Sequence, residues 1–210
     1  MVVTNEDPLV QKPTAYSQIN VMQKVRFAPN ENWDIQYGLH FSETSSYSRY
    51  DRHIRYDNDG LPRYGEFNYG PQKWIMNNFM ISHKKATTLY DALEIRLAHQ
   101  FFEESRISRS INKPKRQTRI EKVNAYSFNA DFTKAINKKN IVFYGLEYIL
   151  NDVDSEGIDT NIITGVNSVG PARYPQAIWQ SIGIYLNNEF KVSEKTVFQA
   201  GLRYNQFILK

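Results

Sequence analysis

The sequence predicts an all-β fold: an antiparallel up-and-down transmembrane β-barrel segment of about eight strands in four hairpins, with short turns at one end and long loops at the other. Three observations carry the prediction. Stretches of about ten residues alternate apolar and polar side chains, the period of a two-faced strand. Aromatic residues reach 14% of the chain, with 14 Tyr and 12 Phe, a usage that favours strands and interfaces over helices. Short and long connections alternate strictly along the chain.

QINVMQKVRFA (18–28) sets Ile19, Val21, Val25 and Phe27 against Asn20, Met22, Lys24 and Arg26, and the turn signal PNEN follows. WDIQYGLHFSE (33–43) is sharper still, with Trp33, Ile35, Tyr37, Leu39 and Phe41 on one parity and Asp34, Gln36, Gly38, His40 and Ser42 on the other. The tight connection makes the two a hairpin. SRYDRHIRYDNDGLPRYGEFNYGPQ, rich in turn formers, reads as a long loop.

WIMNNFMISH (74–83) and LYDALEIRLAHQFFEE (89–104) form the second hairpin over KKATT. The first has Met and Asn on both parities, so its faces stay unassigned. The second also carries good helix formers, with Leu89, Leu93 and Leu97 four apart, and is read as a strand from its neighbours. A basic connection, SRISRSINKPKRQTRIEK, leads to NAYSFNADF (124–132), which pairs through INKKN with IVFYGLEYIL (141–150). After the long NDVDSEGIDTNIITGVNSVGPARYPQ, AIWQSIGIYLNNEF (177–190) turns through KVSEKT into VFQAGLRYNQF (197–207).

Short turns after residues 28, 84, 134 and 192 therefore alternate with long loops starting near 46, 104 and 152. Outer-membrane barrels have this asymmetry, with short periplasmic turns and long extracellular loops, whereas a sandwich has no reason to sort loop lengths by end. The charges are sorted as well: Lys24, Arg26, Asp34, Glu94, Arg96, Glu147 and Arg203 all fall on the polar parity. A charge facing lipid at the bilayer midplane costs roughly 2–4 kcal/mol. Trp33, Ile35, Tyr37, Leu39, Phe41, Leu202 and Tyr204 are thus expected to face lipid, and Asp34, Gln36, His40, Glu94, Arg96, Glu147 and Arg203 a wet lumen.

Composition leaves two rival readings open. At 210 residues the chain is long enough to bury a core, so a soluble barrel or sandwich binding a sugar or lipid is one. The other is a complete small eight-stranded barrel acting as anchor or adhesin, which needs the strand from Gln18 to pair with the one ending near Phe207. The absence of Cys removes disulfides, thiolate metal sites and cysteine nucleophiles. A net charge of +4 is a mild excess, and no apolar run approaches the roughly 20 residues of a spanning helix. The start MVVTNEDPLVQK lacks the layout of a signal peptide.

The C-terminal third, with YGLEY, RYP, YLNNEF, the turn VSEKT and above all QAGLRYNQF, resembles the barrel of TonB-dependent outer-membrane receptors. That resemblance implies energy-coupled uptake of a scarce nutrient such as an iron chelate, haem, cobalamin or a glycan. It also implies contact with outer-membrane lipid and with the TonB energy-coupling complex through a plug. The signal peptide, energy-coupling box, plug and closing aromatic strand of the family are not in this sequence. The whole chain, 1–210, is accordingly expected to be an interior part of a larger barrel.

The first long loop gathers Arg49, Tyr50, Arg52, His53, Arg55, Tyr56, Arg63, Tyr64 and Tyr69, rigid amphipathic rings and forked donors of the kind that dominate binding sites. It is the expected cargo contact, with His53 the candidate for haem. Arg109, Lys113, Lys115 and Arg116 in the basic connection are expected to meet lipopolysaccharide phosphates. Nucleic acid is not expected, since the run has no aromatic neighbours on which bases would stack. His40, His53, His83 and His99 are too scattered for a metal site, and no GxSxG, P-loop or dinucleotide pattern occurs. No catalytic residue, resident metal or cofactor is expected, and the chain is not read as an enzyme.

Overall fold

The structure, a computed structural model, describes residues 5–210. Eight long strands run up and down in one antiparallel sheet: β1 (Gln18–Asn30), β2 (Trp33–Thr44), β5 (Lys73–Lys84), β6 (Ala92–Ser110), β7 (Lys115–Asn137), β8 (Asn140–Asn161), β10 (Ala177–Ser193) and β11 (Thr196–Leu209). Each pairs with its neighbours in chain order. At the loop end, β3 (Tyr47–Ser48), the one-turn α1 (Tyr50–His53), β4 (Tyr64–Tyr69) and β9 (Asn167–Val169) decorate this path.

Several boundaries differ from the sequence reading, for one physical reason. Beyond the two-faced segments both sides of a strand carry polar residues, so the period-two signal fades while backbone pairing continues. The basic stretch near 104 is thus no loop: β6 and β7 carry their ladder through Ser108↔Gln117, leaving only residues 111–114 between the strands. β8 runs on to Asn161 instead of ending at Leu150, and β7 runs to Asn137 past the turn expected after 134. β1 extends to Asn30, and β6 begins at Ala92, not Leu89. The first long loop contains ordered elements, since β4 pairs with the outer part of β6.

Register sorts every long strand into the same two faces. One row runs Trp33↔His83↔Leu93↔Phe132↔Tyr144↔Leu186↔Leu202, and another Glu43↔Lys73↔Glu103↔Lys122↔Asp154. Between them this face is mostly apolar, including Ile35, Ile81, Ile95 and Leu146. The rows lie ten residues apart in each of the five strands they share. At about 3.4 Å per residue and a tilt of about 40° that is about 26 Å of height, the thickness of an outer-membrane apolar band. The strand whose faces the sequence left open is now assigned: Ile75, Asn77, Phe79, Ile81 and His83 join the apolar face, and Trp74, Met76, Asn78, Met80 and Ser82 the polar one.

No core of the soluble kind exists. Among the described residues only Phe67 and Ala130 are buried hydrophobics, while Leu202 is 83% exposed and Leu97 44%. A soluble domain of this length buries most of its apolar surface, so the sandwich reading is corrected: the described residues form one sheet with no second layer. The small closed barrel is corrected too, because among the described residues β1 pairs with β2 alone and β11 with β10 alone.

Candidate functional site

The polar face carries several groups of cross-strand polar bonds. Arg26 and Gln36 converge on Asp34, with Arg26 at 2.9 Å and Gln36 donating at 3.3 Å. His40 lies against the Trp74 ring at 4.6 Å between centroids, in one row with Met22 and Met76. Arg96 pairs with Glu94 and reaches Asp131 at 3.5 Å, and Tyr185 donates to that same Asp131 at 2.6 Å. Glu147 accepts from Asn129 at 3.1 Å and from Arg203 at 2.7 Å. Register places Asp34, Gln36, His40, Glu94, Arg96, Glu147 and Arg203 on this one face, and Trp33, Ile35, Tyr37, Leu39, Phe41, Leu202 and Tyr204 on the other.

The apolar face carries its own boundary chemistry. Near the short turns, Trp33 packs at a tilt on His83 at 4.2 Å, His83 accepts or donates at Tyr90 Oη over 2.9 Å, and Phe132 stacks on Tyr144 at 4.9 Å. This belt of amphipathic rings is the girdle expected where headgroups begin. At the other margin Lys73 sits 4.0 Å from Glu43 and 3.6 Å from Glu103. The few polar groups within the band are tied down across strands: Tyr37 Oη donates to Asn77 at 2.7 Å, and His99 meets Asn124 at 3.1 Å.

Past the charged row, the strand extensions and first-loop elements build a cap. Of the residues expected to contact cargo, Arg49, Arg52 and Tyr69 are brought together. Arg49 lies over the Tyr69 ring at 4.8 Å and Arg52 over Phe67 at 5.2 Å. Arg63 stacks instead on its neighbour Tyr64 at 5.9 Å, and Arg55 and Tyr56 are exposed. Tyr50 and His53 lie on α1 beside β4. The sequence reading missed Phe67 and Arg106, the latter 5.1 Å from the Tyr69 ring and donating to its hydroxyl at 2.9 Å. Arg106 was hidden in the stretch taken for a connection; a strand reading of RISRS would have paired it with the sheet.

The basic residues expected to meet phosphate are largely engaged within the chain. Arg116 grips Glu66 in a two-pronged bond at 2.7 and 2.8 Å, with Arg109 at 3.4 Å from the same carboxylate. The Arg116 hydrogen bond, with the nearby Arg109 charge, holds the Glu66 carboxyl below its usual range. Lys115 pairs with Asp159 at 2.6 Å and the buried Arg119 with Asp159 at 3.0 Å, and both pull the Asp159 pKa down. Lys113 alone of the four makes no ion pair among the described residues. Arg173 folds back from the loop before β10 to reach Glu104 at 3.3 Å and the buried Glu121 at 3.2 Å.

A single open sheet with a belted apolar face and a hydrogen-bonded polar face defines the wall of an outer-membrane β-barrel. The chain belongs to the outer membrane protein beta-barrel family, whose model matches residues 85–210, more than half of it. It is a protein of the bacterial outer membrane. Its fold is similar to the copper transporter OprC, with TM-score 0.66 and 11% identity over 94% of this chain and 29% of that one. It is likewise similar to the ferric citrate transporter FecA in its unliganded form, with TM-score 0.60 and 12% identity over 95% and 30%. A third solved structure is P. aeruginosa FpvA bound to heterologous pyoverdines, with TM-score 0.59 and 11% identity over 93% and 31%. The chain spans under a third of the length of these proteins. No curated protein sequence matches significantly. The expected barrel and its resemblance to the TonB-dependent receptor barrel hold at the level of fold.

Proposed function

We propose that residues 1–210 form part of the barrel wall of a TonB-dependent receptor that imports a scarce nutrient across the outer membrane. In this reading Trp33, Ile35, Tyr37, Leu39, Phe41, Leu202 and Tyr204 face lipid. Asp34, Gln36, His40, Glu94, Arg96, Glu147 and Arg203 line the lumen, and the first-loop cluster meets cargo. The barrel serves as scaffold and gate, energy arrives through a plug, and no bond is made or broken by the chain.

The observation that carries the reading is the continuous polar face from β1 to β11. Charges on six long strands bond one another there, as they do when a barrel encloses water or a polar plug and not side-chain core. Fold similarity to transporters of copper and ferric citrate supports a transport role, and the cargo in this reading is a small molecule or glycan. A phosphate contact with lipopolysaccharide at Arg109, Lys113, Lys115 and Arg116 belongs to the same reading, with Lys113 as its free anchor.

The test is uptake. Cells lacking the gene are compared with complemented cells for accumulation of labelled iron chelates, haem, cobalamin and oligosaccharides, with and without a protonophore. The reading expects protonophore-sensitive uptake of at least one of them only in complemented cells. Equal accumulation of all of them in both strains contradicts it.

A further inference from the structure

The cap holds more positive charge on the polar face than its acids balance. Register pairs Tyr69 with Arg106 and Phe67 with Ser108, so both rings share the polar face with Arg106. Arg106 in turn lies directly opposite Arg119 on β7. Like charges placed opposite one another across strands are unfavourable. Arg119 is neutralised by Asp159, whereas Arg106 has no carboxylate within ion-pair distance among the described residues. Asp51 is the one acid in the cluster, bound to Arg49 at 2.8 Å and Arg52 at 3.6 Å, leaving one carboxylate for three guanidinium groups.

The donors are also unfilled. Arg52 Nε and Arg106 Nε are both buried without a hydrogen-bond partner among the described residues. A buried donor left unsatisfied costs about 1–3 kcal/mol, and more when charged, so two over one ring call for an acceptor. The rings hold the cations in place: Arg52 and Arg106 lie over Phe67 at 5.2 and 5.9 Å, and Arg49 and Arg106 over Tyr69 at 4.8 and 5.1 Å. Arg49 spends Nε and Nη2 on Asp51, and Arg106 spends Nη2 on the Tyr69 hydroxyl, which leaves the Nε donors of Arg52 and Arg106, both stacked on Phe67, for a planar or tetrahedral oxyanion.

We propose that Arg52 and Arg106, stacked on Phe67 beside the Asp51-bound Arg49, form an anion site that takes a carboxylate- or phosphate-bearing group. This deepens the transport reading, on which it rests only in identifying the anion as cargo: the cargo is negatively charged, which sets it apart from neutral glycans.

Calorimetric titration of citrate and of inorganic phosphate into the detergent-solubilised full chain tests the site. Saturable binding of either is expected, weakened at least tenfold by Arg106→Gln and unchanged by Lys138→Gln at the distant short turn. Both variants are first shown to retain the heat-modifiable gel mobility of the folded barrel. Arg106→Lys is expected not to restore binding, because an ammonium lacks the stacked fork. Titration in nanodiscs with and without lipid A separates the sources: binding that appears only as lipid A occupancy, lost in Arg106→Gln, assigns the same groups to a lipid phosphate. Absence of any anion binding, or equal binding by folded Arg106→Gln, overturns the site. Energy-dependent uptake persisting without anion binding would sink this proposal alone, and anion binding without uptake the transport reading alone.

Discussion

Arg203 on β11 reaches across β10 to Glu147 on β8, Nη2 to Oε1 at 2.7 Å, and the strand between them presents Gly183 beneath the guanidinium. A Cβ at Gly183 would stand 2.5 Å from that Nη2. One row away Tyr185 does the reverse, lying over Gly145 of β8 to donate to Asp131 of β7. The polar face is thus stitched two strands at a time, and glycine is the residue that lets a long side chain pass.

The two glycines should respond differently to alanine. At Gly145 the new methyl meets the Ala130 carbonyl at 2.5 Å and the Tyr185 ring at 2.6 Å, neither of which is free to move. Gly145→Ala is expected to destabilise by about 1–3 kcal/mol, in the range of overpacking. At Gly183 the flexible ends of Arg203 and Asn205, 2.5 and 2.9 Å away, must both swing aside, so Gly183→Ala is expected to cost at most about 1 kcal/mol, the value of the half-exposed Arg203–Glu147 pair it disturbs. Urea unfolding in detergent, followed by tryptophan fluorescence, compares them.

Lipid should discriminate neighbours in β6. Leu97 lies in the apolar row with Phe79 and Phe128, and Ala98 in the polar row with Asn78 and Ser127. Leu97→Arg is expected to cost about 2–4 kcal/mol of folding into bilayers, the value for a charge near the midplane, and Ala98→Arg much less. Folding equilibria into lipid vesicles measure both.

Acid should loosen the cap. Arg116 first, and Arg109 with it, lower the Glu66 pKa, so the stabilisation is fully present above the ordinary glutamate value of about 4.3 and is lost as pH falls through the lower folded value. Hydrogen exchange in β4 should therefore accelerate below about pH 4 in the native chain. In Glu66→Gln it should already be fast at neutral pH and change little with acid.

The buried and exposed partners of Asp159 should also differ. Lys115 is 60% exposed at its side chain, and Lys115→Gln is expected to shift stability by less than about 1 kcal/mol. Asp159→Asn leaves the buried Arg119 with the carbonyls of Thr118 and Ile158, weakening charge-assisted bonds of about 1.5–3 kcal/mol. Protease cleavage in the 162–176 segment should rise in the second variant and not in the first.

The strands themselves were legible because lipid and water impose opposite demands on alternate residues: WDIQYGLHFSE and VFQAGLRYNQF each state both faces outright. WIMNNFMISH did not, since Asn77 on the apolar face is satisfied by the Tyr37 hydroxyl, a partner forty residues away in sequence that no local pattern reveals. The long outer halves of β6, β7 and β8 were illegible for a related reason. Where both faces carry polar side chains, RISRS and KRQTRIEK carry no period. In the cap, composition marked the arginines and tyrosines, but which acid neutralises which base, and which arginine is left without one, is set by cross-strand register.

The face assignment is the central claim, and the absence of cysteine allows it to be tested without background. Single cysteines placed from Leu93 to His99 in β6, each spin-labelled in reconstituted bilayers, report collision with oxygen dissolved in lipid and with a water-soluble nickel chelate. The account predicts strict alternation, with oxygen favoured at Leu93, Ile95, Leu97 and His99 and nickel at Glu94, Arg96 and Ala98. Uniform accessibility along the strand, or alternation of the opposite phase, would contradict it.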